Sequence, residues 1–204
     1  AASDVYKRQL HIQWNPATDE VEVVNYSAGT HKGLTAKVQI LNMDASVAWE
    51  KETTVDSNED TTNKCIKLEF PANLSKVHFI KMTLAENGKV ISDNFYHRSL
   101  EENNYQDLQK LPKVALQSAT TVDKNADGTW SAVSVIENKT STPALMIRLN
   151  VVGDKDGQQL LPVFYSDNYF SLLPGEKKEV RMNWKDEDTR GNEGKVVISG
   201  YNVE

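Results

Sequence analysis

The chain has 204 residues, 39% of them hydrophobic and 25% charged, with a net charge of −6. This is the composition of a globular chain, long enough for two domains of about 100 residues each. The acidic balance and the lack of any Lys/Arg cluster argue against a nucleic-acid binder, which needs a basic face. No apolar run approaches the roughly 20 residues of a membrane helix.

Residues 1–9, AASDVYKRQ, have no apolar stretch suited to a signal peptide. They resemble the translation of a sequencing-library adapter and are set aside from fold reasoning. The natural protein is accordingly expected to begin upstream of Leu10.

From Leu10 onward the pattern is strand after strand. Val21 and Val23 alternate with Glu20 and Glu22, and Leu34, Ala36, Val38 and Ile40 alternate with Thr35, Lys37 and Gln39. A period of two places each apolar set on one face of a sheet. Cys65, the single cysteine, opens the alternating run Ile66, Leu68, Phe70 and reads as a small strand residue. A lone cysteine excludes an internal disulfide and a cysteine-based zinc site. Asn87-Gly88 sits between the strands Val77–Ala85 and Lys89–Tyr96, and both residues tolerate the positive φ of a tight hairpin. About seven strands are expected before His97, at the spacing of a β-sandwich.

Residues 99–113, SLEENNYQDLQKLPK, break the pattern and read as a linker. Tyr105, Leu108 and Leu111 suit a turn or two of helix, which Pro112 stops. A second strand series follows: Val114–Val122, Thr129–Glu137, Ala144–Val152, Gln158–Ser166, the alternating Val180, Met182 and Trp184, and finally Gly194–Val203. The predicted fold class is all-β, as two tandem antiparallel β-sandwiches at 10–98 and 114–204.

Candidate chemistry is sparse. His11, His31, His78 and His97 show no metal-ligand spacing. Asp123, Asn125 and Asp127, with Gly128, begin like a calcium loop, but the twelfth position is Ser134 where a bidentate glutamate belongs. The same residues make tight turns between strands. Asp186-Glu187-Asp188 is the densest acidic cluster and reads as a solvated loop. Asn25-Tyr26-Ser27, Asn73-Leu74-Ser75 and Asn138-Lys139-Thr140 match the glycosylation triplet, which also arises by chance. Trp14, Trp49, Trp130, Trp184, Tyr165, Tyr169 and Phe170 could offer flat faces to a sugar, but most occupy inward-compatible strand positions. No cofactor motif is present.

The most informative stretch is LLPVFYSDNYFSLLPGE, Leu160 to Glu176. Pro174-Gly175 is a turn, since proline presets φ at the corner and glycine supplies the positive φ after it. Pro162 lacks an N–H and belongs at an edge or bulge. Asp167 and Asn168 interrupt an apolar run. Their side chains either bond local backbone or, with Tyr169, face a partner surface or the entrance of a sugar site.

This stretch, with Asn138, resembles the last immunoglobulin-like domain of glycoside hydrolase family 2 enzymes, above all exo-β-glucosaminidases and mannosylglycoprotein endo-β-mannosidases. Leu10–Pro16, Val21–Asn25 and Asp93–Tyr96 resemble the preceding sandwich of the same enzymes, and Tyr105 to Pro112 the linker. The resemblance implies immunoglobulin-like sandwiches and a non-catalytic role. In that family two glutamates of an upstream TIM barrel perform the chemistry, and no catalytic position carries over to this chain. It further implies a parent glycosidase of polysaccharide-degrading bacteria, periplasmic or extracellular, with the barrel as partner. A carbohydrate-binding module and a freestanding tandem immunoglobulin-like interaction protein remain open alternatives.

Overall fold

The computed structural model of the protein describes residues 10–204, so the adapter-like segment 1–9 lies outside the described residues. The chain divides between Gln109 and Lys110 into two compact units.

The first unit has seven strands: β1 (Leu10–Asn15), β2 (Glu20–Asn25), β3 (His31–Asn42), β4 (Val47–Ser57), β5 (Thr61–Lys67), β6 (Val77–Glu86) and β7 (Lys89–Ser99). They form one sheet in the order β1-β2-β5 and another in the order β4-β3-β6-β7, with every pairing antiparallel. The alternation read from the sequence is the alternation of burial. Leu34, Ala36 and Val38 meet Ile12, Val21, Val23, Ile66, Leu68, Ile80, Met82 and Leu84 in a single core. Each fully buried Leu, Ile or Val contributes about 1.5–3 kcal/mol relative to exposure. At the β6–β7 hairpin Asn87 (φ 50°) and Gly88 (φ 77°) both take left-handed backbone, as the dipeptide predicts.

β1 belongs to one sheet and β7 to the other, and side chains join them. Ile12 N–H donates to Ser92 Oγ, and Asn94 Nδ2 donates to Ile12 O. Two alternate residues of β7 thus stand in for a missing ladder strand. After β7, a 3-10 turn at Gln106–Lys110 buries Leu108, within the segment expected to hold a turn of helix.

The second unit repeats the count with β8 (Gln117–Lys124), β9 (Thr129–Glu137), β10 (Ala144–Gly153), β11 (Phe164–Tyr165), β12 (Phe170–Leu172), β13 (Lys177–Lys185) and β14 (Gly194–Ser199). Its sheets run β12-β10-β14 and β11-β13-β9-β8. Ala132, Ile136, Ile147, Leu149, Val151, Leu160, Phe170, Leu172, Val180, Met182 and Trp184 fill the core between them.

Three strand expectations need correction here. Gln158–Ser166 is not one strand. Gln159 bridges Val152 of β10, and after the cis Leu161–Pro162 peptide the chain crosses to β13 as the two-residue β11. Proline offers no N–H to continue the first ladder, which is where the chain changes sheets. The strand expected from Val114 begins at Gln117. Val114 instead makes a parallel bridge with Val203. The last strand stops at Ser199, because Asn202 bonds Pro112 O and Pro143 O through Nδ2 and accepts from Leu145 N–H, tying the tail to the start of the unit. Gly194, which opens β14, is obligatory for space: a Cβ there would run into the Trp184 ring.

Candidate functional site

The corner between β11 and β12 carries the three candidates Asp167, Asn168 and Tyr169. β12 pairs with β10 only at Ala144 and Ile147, so beyond Ile147 the edge of β10 opposite β14 has no β12 partner. Asn168 supplies one. Leu149 N–H donates to Asn168 Oδ1 (2.9 Å), and Asn168 Nδ2 donates to Leu149 O (3.0 Å). One residue pair along, Val151 N–H donates to the Tyr165 hydroxyl (3.2 Å). The amide of Asn168 therefore imitates a peptide group. Asp167 holds the corner from the other side, accepting from Asn168 N–H (2.8 Å) and pairing with Lys178 (2.5 Å).

Tyr169 differs from its neighbours. Asn168 Oδ1 accepts its N–H (3.0 Å), its backbone is left-handed at φ 61°, and its side chain is 66% exposed. Left-handed backbone costs a residue with a Cβ about 1–2 kcal/mol. The surrounding bonds hold Tyr169 there, with the Arg148 guanidinium 5.7 Å from the ring centre. The structure thus separates three adjacent candidates: Asp167 and Asn168 build the corner, and Tyr169 is what the corner displays.

The turn after β12 explains why Asn138 accompanies the Leu160–Glu176 stretch. Glu176 N–H closes the Pro174-Gly175 turn on Leu173 O (3.0 Å), with Gly175 at φ 80°. The turn docks on the Asn138 backbone, which accepts from Gly175 N–H (2.7 Å) and donates to Glu176 O (2.9 Å). The Asn138 side chain, fully buried, donates to Thr142 O and Leu172 O and accepts from Thr140 N–H and Oγ1–H. The first unit has the same device. Asn25, fully buried, donates to Gly29 O and Ser57 O and accepts from Ser27 N–H and Oγ–H. Two of the three glycosylation-like triplets are therefore loop pins at equivalent ends of β2 and β9. The third, at Asn73, lies in an exposed turn.

One constellation escaped the sequence reading because its members are distant in the chain. Ser27 Oγ lies 3.0 Å from His31 Nε2, and His31 Nδ1 lies 2.9 Å from Glu86 Oε1. The outline is that of a nucleophile, base and acid. The hydroxyl has another acceptor, however: Ser27 Oγ–H donates to Asn25 Oδ1 (2.5 Å). Thr140 makes the same bond to Asn138 in the second unit, where the chain has no histidine. The hydroxyl serves the loop.

Two other histidines sit in packed surroundings. His78, with no exposed surface, donates from Nδ1 to Ser75 O (3.2 Å) and accepts at Nε2 from Arg98 (3.2 Å), which itself lies over Phe70. His97 lies against Phe79 and Phe95. Burial lowers the pKa of both, and the Arg98 charge adds to the effect at His78. Burial pushes the Cys65 thiol up to about 11, and its Sγ meets Val21 O at 3.3 Å.

Asp123, Asn125 and Asp127 flank the β8–β9 hairpin. Asp127 accepts from Thr129 N–H and Oγ1–H, and these bonds lower its pKa. Asn125 donates to Thr129 Oγ1, and Asp123 pairs in the ladder with Ser131. That is turn geometry. Among the described residues no three His, Cys, Asp or Glu side chains group to hold a metal ion.

The acidic run 186–188 forms a partly exposed 3-10 turn, Asp186–Thr189. Asp186 accepts from Lys124 and from Trp130 Nε1 (2.7 Å), and both bonds lower its pKa. Glu187 and Asp188 line an open depression of about 340 Å³ with Gln159, Leu161 and Arg190. Of the seven aromatic candidates, Trp184 and Phe170 are core residues. Trp14, Trp49, Trp130 and Tyr165 pack half-buried against a core, and Tyr169 stands free of both. Phe164, 64% exposed on β11, was missed because it falls in a run that reads as buried strand.

Seven strands in a three-plus-four arrangement, twice over, with pinned corners and no assembled catalytic group among the described residues, define a pair of immunoglobulin-like β-sandwiches. Comparison with known proteins gives the family. Residues 94–203 match the exo-beta-D-glucosaminidase Ig-fold domain, and residues 19–99 match the mannosidase Ig/CBM-like domain. The chain belongs to the exo-β-D-glucosaminidase Ig-fold family, within glycoside hydrolase family 2.

The exo-β-D-glucosaminidase of Streptomyces avermitilis is 28% identical over 95% of this chain, and that of Amycolatopsis orientalis 29% over 95%. The solved exo-chitosanase of Amycolatopsis orientalis superposes on 96% of the chain with a TM-score of 0.89 and 25% identity. The chain spans 24% of the Streptomyces enzyme, 21% of the Amycolatopsis enzyme and 26% of the solved chain. These relatives are larger enzymes, in which this region is one part of the chain. Among the described residues no helix is long and apolar enough to cross a membrane.

Proposed function

We propose that the chain is the non-catalytic C-terminal part of a longer family 2 glycosidase that cleaves β-glucosaminide bonds. Its two sandwiches pack against an upstream catalytic barrel. The reading is carried by one observation: the likeness runs unbroken through both units, covering 95–96% of this chain but only about a quarter of each relative. β-Mannoside specificity is the neighbouring possibility, supported by the mannosidase-type match over 19–99. Such an enzyme meets its polymeric substrate outside the cytoplasm, so the periplasm or the cell exterior is the compartment proposed for the parent.

The deciding experiment is recovery of the gene upstream of Leu10, followed by expression of its complete product. A barrel-coding segment and release of glucosamine from chitosan oligosaccharides are expected. An upstream region encoding no barrel would overturn the proposal. So would a complete product that hydrolyses neither β-glucosaminides nor β-mannosides. The 204-residue chain by itself is expected to show no turnover.

A further inference from the structure

The outer face of the β12-β10-β14 sheet has features that the scaffold role leaves unused. Ile147, Leu149 and Val151 point into the core with no exposed surface, so Arg148 and Asn150 between them point out. Across the ladder Arg148 faces Ser199, and Asn150 faces Val197. On the other side the Arg148 guanidinium lies over the Tyr169 ring, and Met146 N–H donates to Ser171 Oγ (3.3 Å). Met146 occupies the bulge between Ala144 and Ile147 with φ 52° and is 42% exposed. Two non-glycine residues are therefore held in left-handed backbone beside each other, each presenting its side chain to solvent. Backbone strain of this kind persists only where the surroundings enforce it, and it concentrates at binding surfaces. The enforcing bonds come from Asn168 at Tyr169 and from Ser171 at Met146.

We propose that this face binds a pyranoside chain that carries no free amine, stacked on the Tyr169 ring, with the Arg148 guanidinium donating to hydroxyl or acetamido oxygens of the sugar. A pyranose presents a row of C–H groups that fits a flat ring, and the flanking Ser171, Ser199 and Asn150 offer hydrogen bonds at the rim. Charge decides the class. The outward positions of these three strands, with Tyr169 just before β12, are Met146, Arg148, Asn150, Val152, Ser171, Lys195, Val197 and Ser199, with two cations and no acid, in a chain whose net charge is −6. A sugar ammonium stacked on Tyr169 would face the guanidinium within a few ångströms, whereas neutral sugars meet no such repulsion. The inference does not depend on the activity proposed above for the parent.

The test is an NMR titration of the isotope-labelled 204-residue chain with three hexasaccharides: N-acetylated chitin, cellulose-type and fully deacetylated chitosan. Amide shifts centred on Met146, Arg148, Tyr169 and Ser171 are expected with the first two and not with the third. Tyr169→Ala should weaken binding about tenfold, and Tyr169→Trp should preserve it. Tyr169→Gly separates display from folding: it relieves the left-handed backbone and raises the melting temperature, yet weakens binding as much as Tyr169→Ala. Three results would each overturn the proposal: no perturbation of this face by any of the sugars up to their solubility limits, equal binding of the free-amine oligomer, or undiminished binding by Tyr169→Ala in a chain whose core amides are unchanged. Loss of the parent's proposed activity would leave this outcome untouched.

Discussion

The two sandwiches share a strand count and a loop pin, yet they differ in what lies buried. The first holds all four histidines and the only cysteine. Its buried polar residues are Glu22, Asn25, Ser57, His78 and Ser92. Those of the second are Ser134, Asn138, Thr189, Asn192 and Asn202, none of which titrates in the range a cell experiences. Amides and hydroxyls satisfy backbone groups without changing charge, whereas a buried imidazole with a lowered pKa ties the fold to proton concentration. The first sandwich thus buries an imidazole where the second buries only amides and hydroxyls.

The strongest challenge to that comparison is to remove the shared pin. Asn138→Ala deletes four side-chain hydrogen bonds at a fully buried position and strands two carbonyls, and should cost about 3–5 kcal/mol. Asn25→Ala should cost the first unit a similar amount. Urea titrations followed by amide exchange in each unit give both values, and a loss below about 1 kcal/mol at either site would end the equivalence.

Next in size is Gly194→Ala, which forces the Trp184 ring to move and should destabilise the second unit by about 2–3 kcal/mol. Asn168→Ala removes the surrogate rungs on Leu149 and should cost about 2 kcal/mol, against about 1 kcal/mol for Ser92→Ala, which removes the single acceptor for Ile12 N–H. An equal loss at the two positions would break the ranking of the two edges.

The pH dependence sharpens the contrast. Burial lowers His78 and His97 from 6.5, so the unfolded chain binds more protons than the folded one as pH falls below that value. The contribution is complete above the ordinary histidine range and is lost as pH drops toward the lowered folded values. Between pH 7 and 5 the first unit should lose stability while the second stays flat, and His78→Gln should reduce the slope. Parallel slopes in the two units would contradict the assignment. The smallest effect is chemical. With its thiol at about 11, Cys65 should react with iodoacetamide at pH 8 far more slowly than an unfolded cysteine, so that labelling reports opening of the first unit alone.

Much of the framework was legible in the alternation, because a period of two is a local property. Thr129–Glu137 matches β9, and Asn87-Gly88 turns where the dipeptide predicts. What was illegible depends on partners distant in sequence. Asn168 is 19 residues from Leu149, and Asn94 is 82 from Ile12, so no window contains both the donor and the gap it fills. Pro162 did signal an interruption, though not the change of sheet. At Asp167, Asn168 and Tyr169 residue type alone left two roles possible, and only backbone dihedrals and exposure separated the two holders from the residue held.

The burial of Asn25 and Asn138 has a practical corollary for making this protein. In a eukaryotic secretory host, oligosaccharide is transferred to Asn-X-Ser/Thr while the chain is still unfolded. A glycan on either amide would sit where no surface exists and would take the place of a proton now bonded to a backbone carbonyl. Such a host would trap part of the product in forms unable to close their loops, and a cytoplasmic bacterial host would not. Of the three triplets, Asn73 is the one at which decoration and the native fold are compatible.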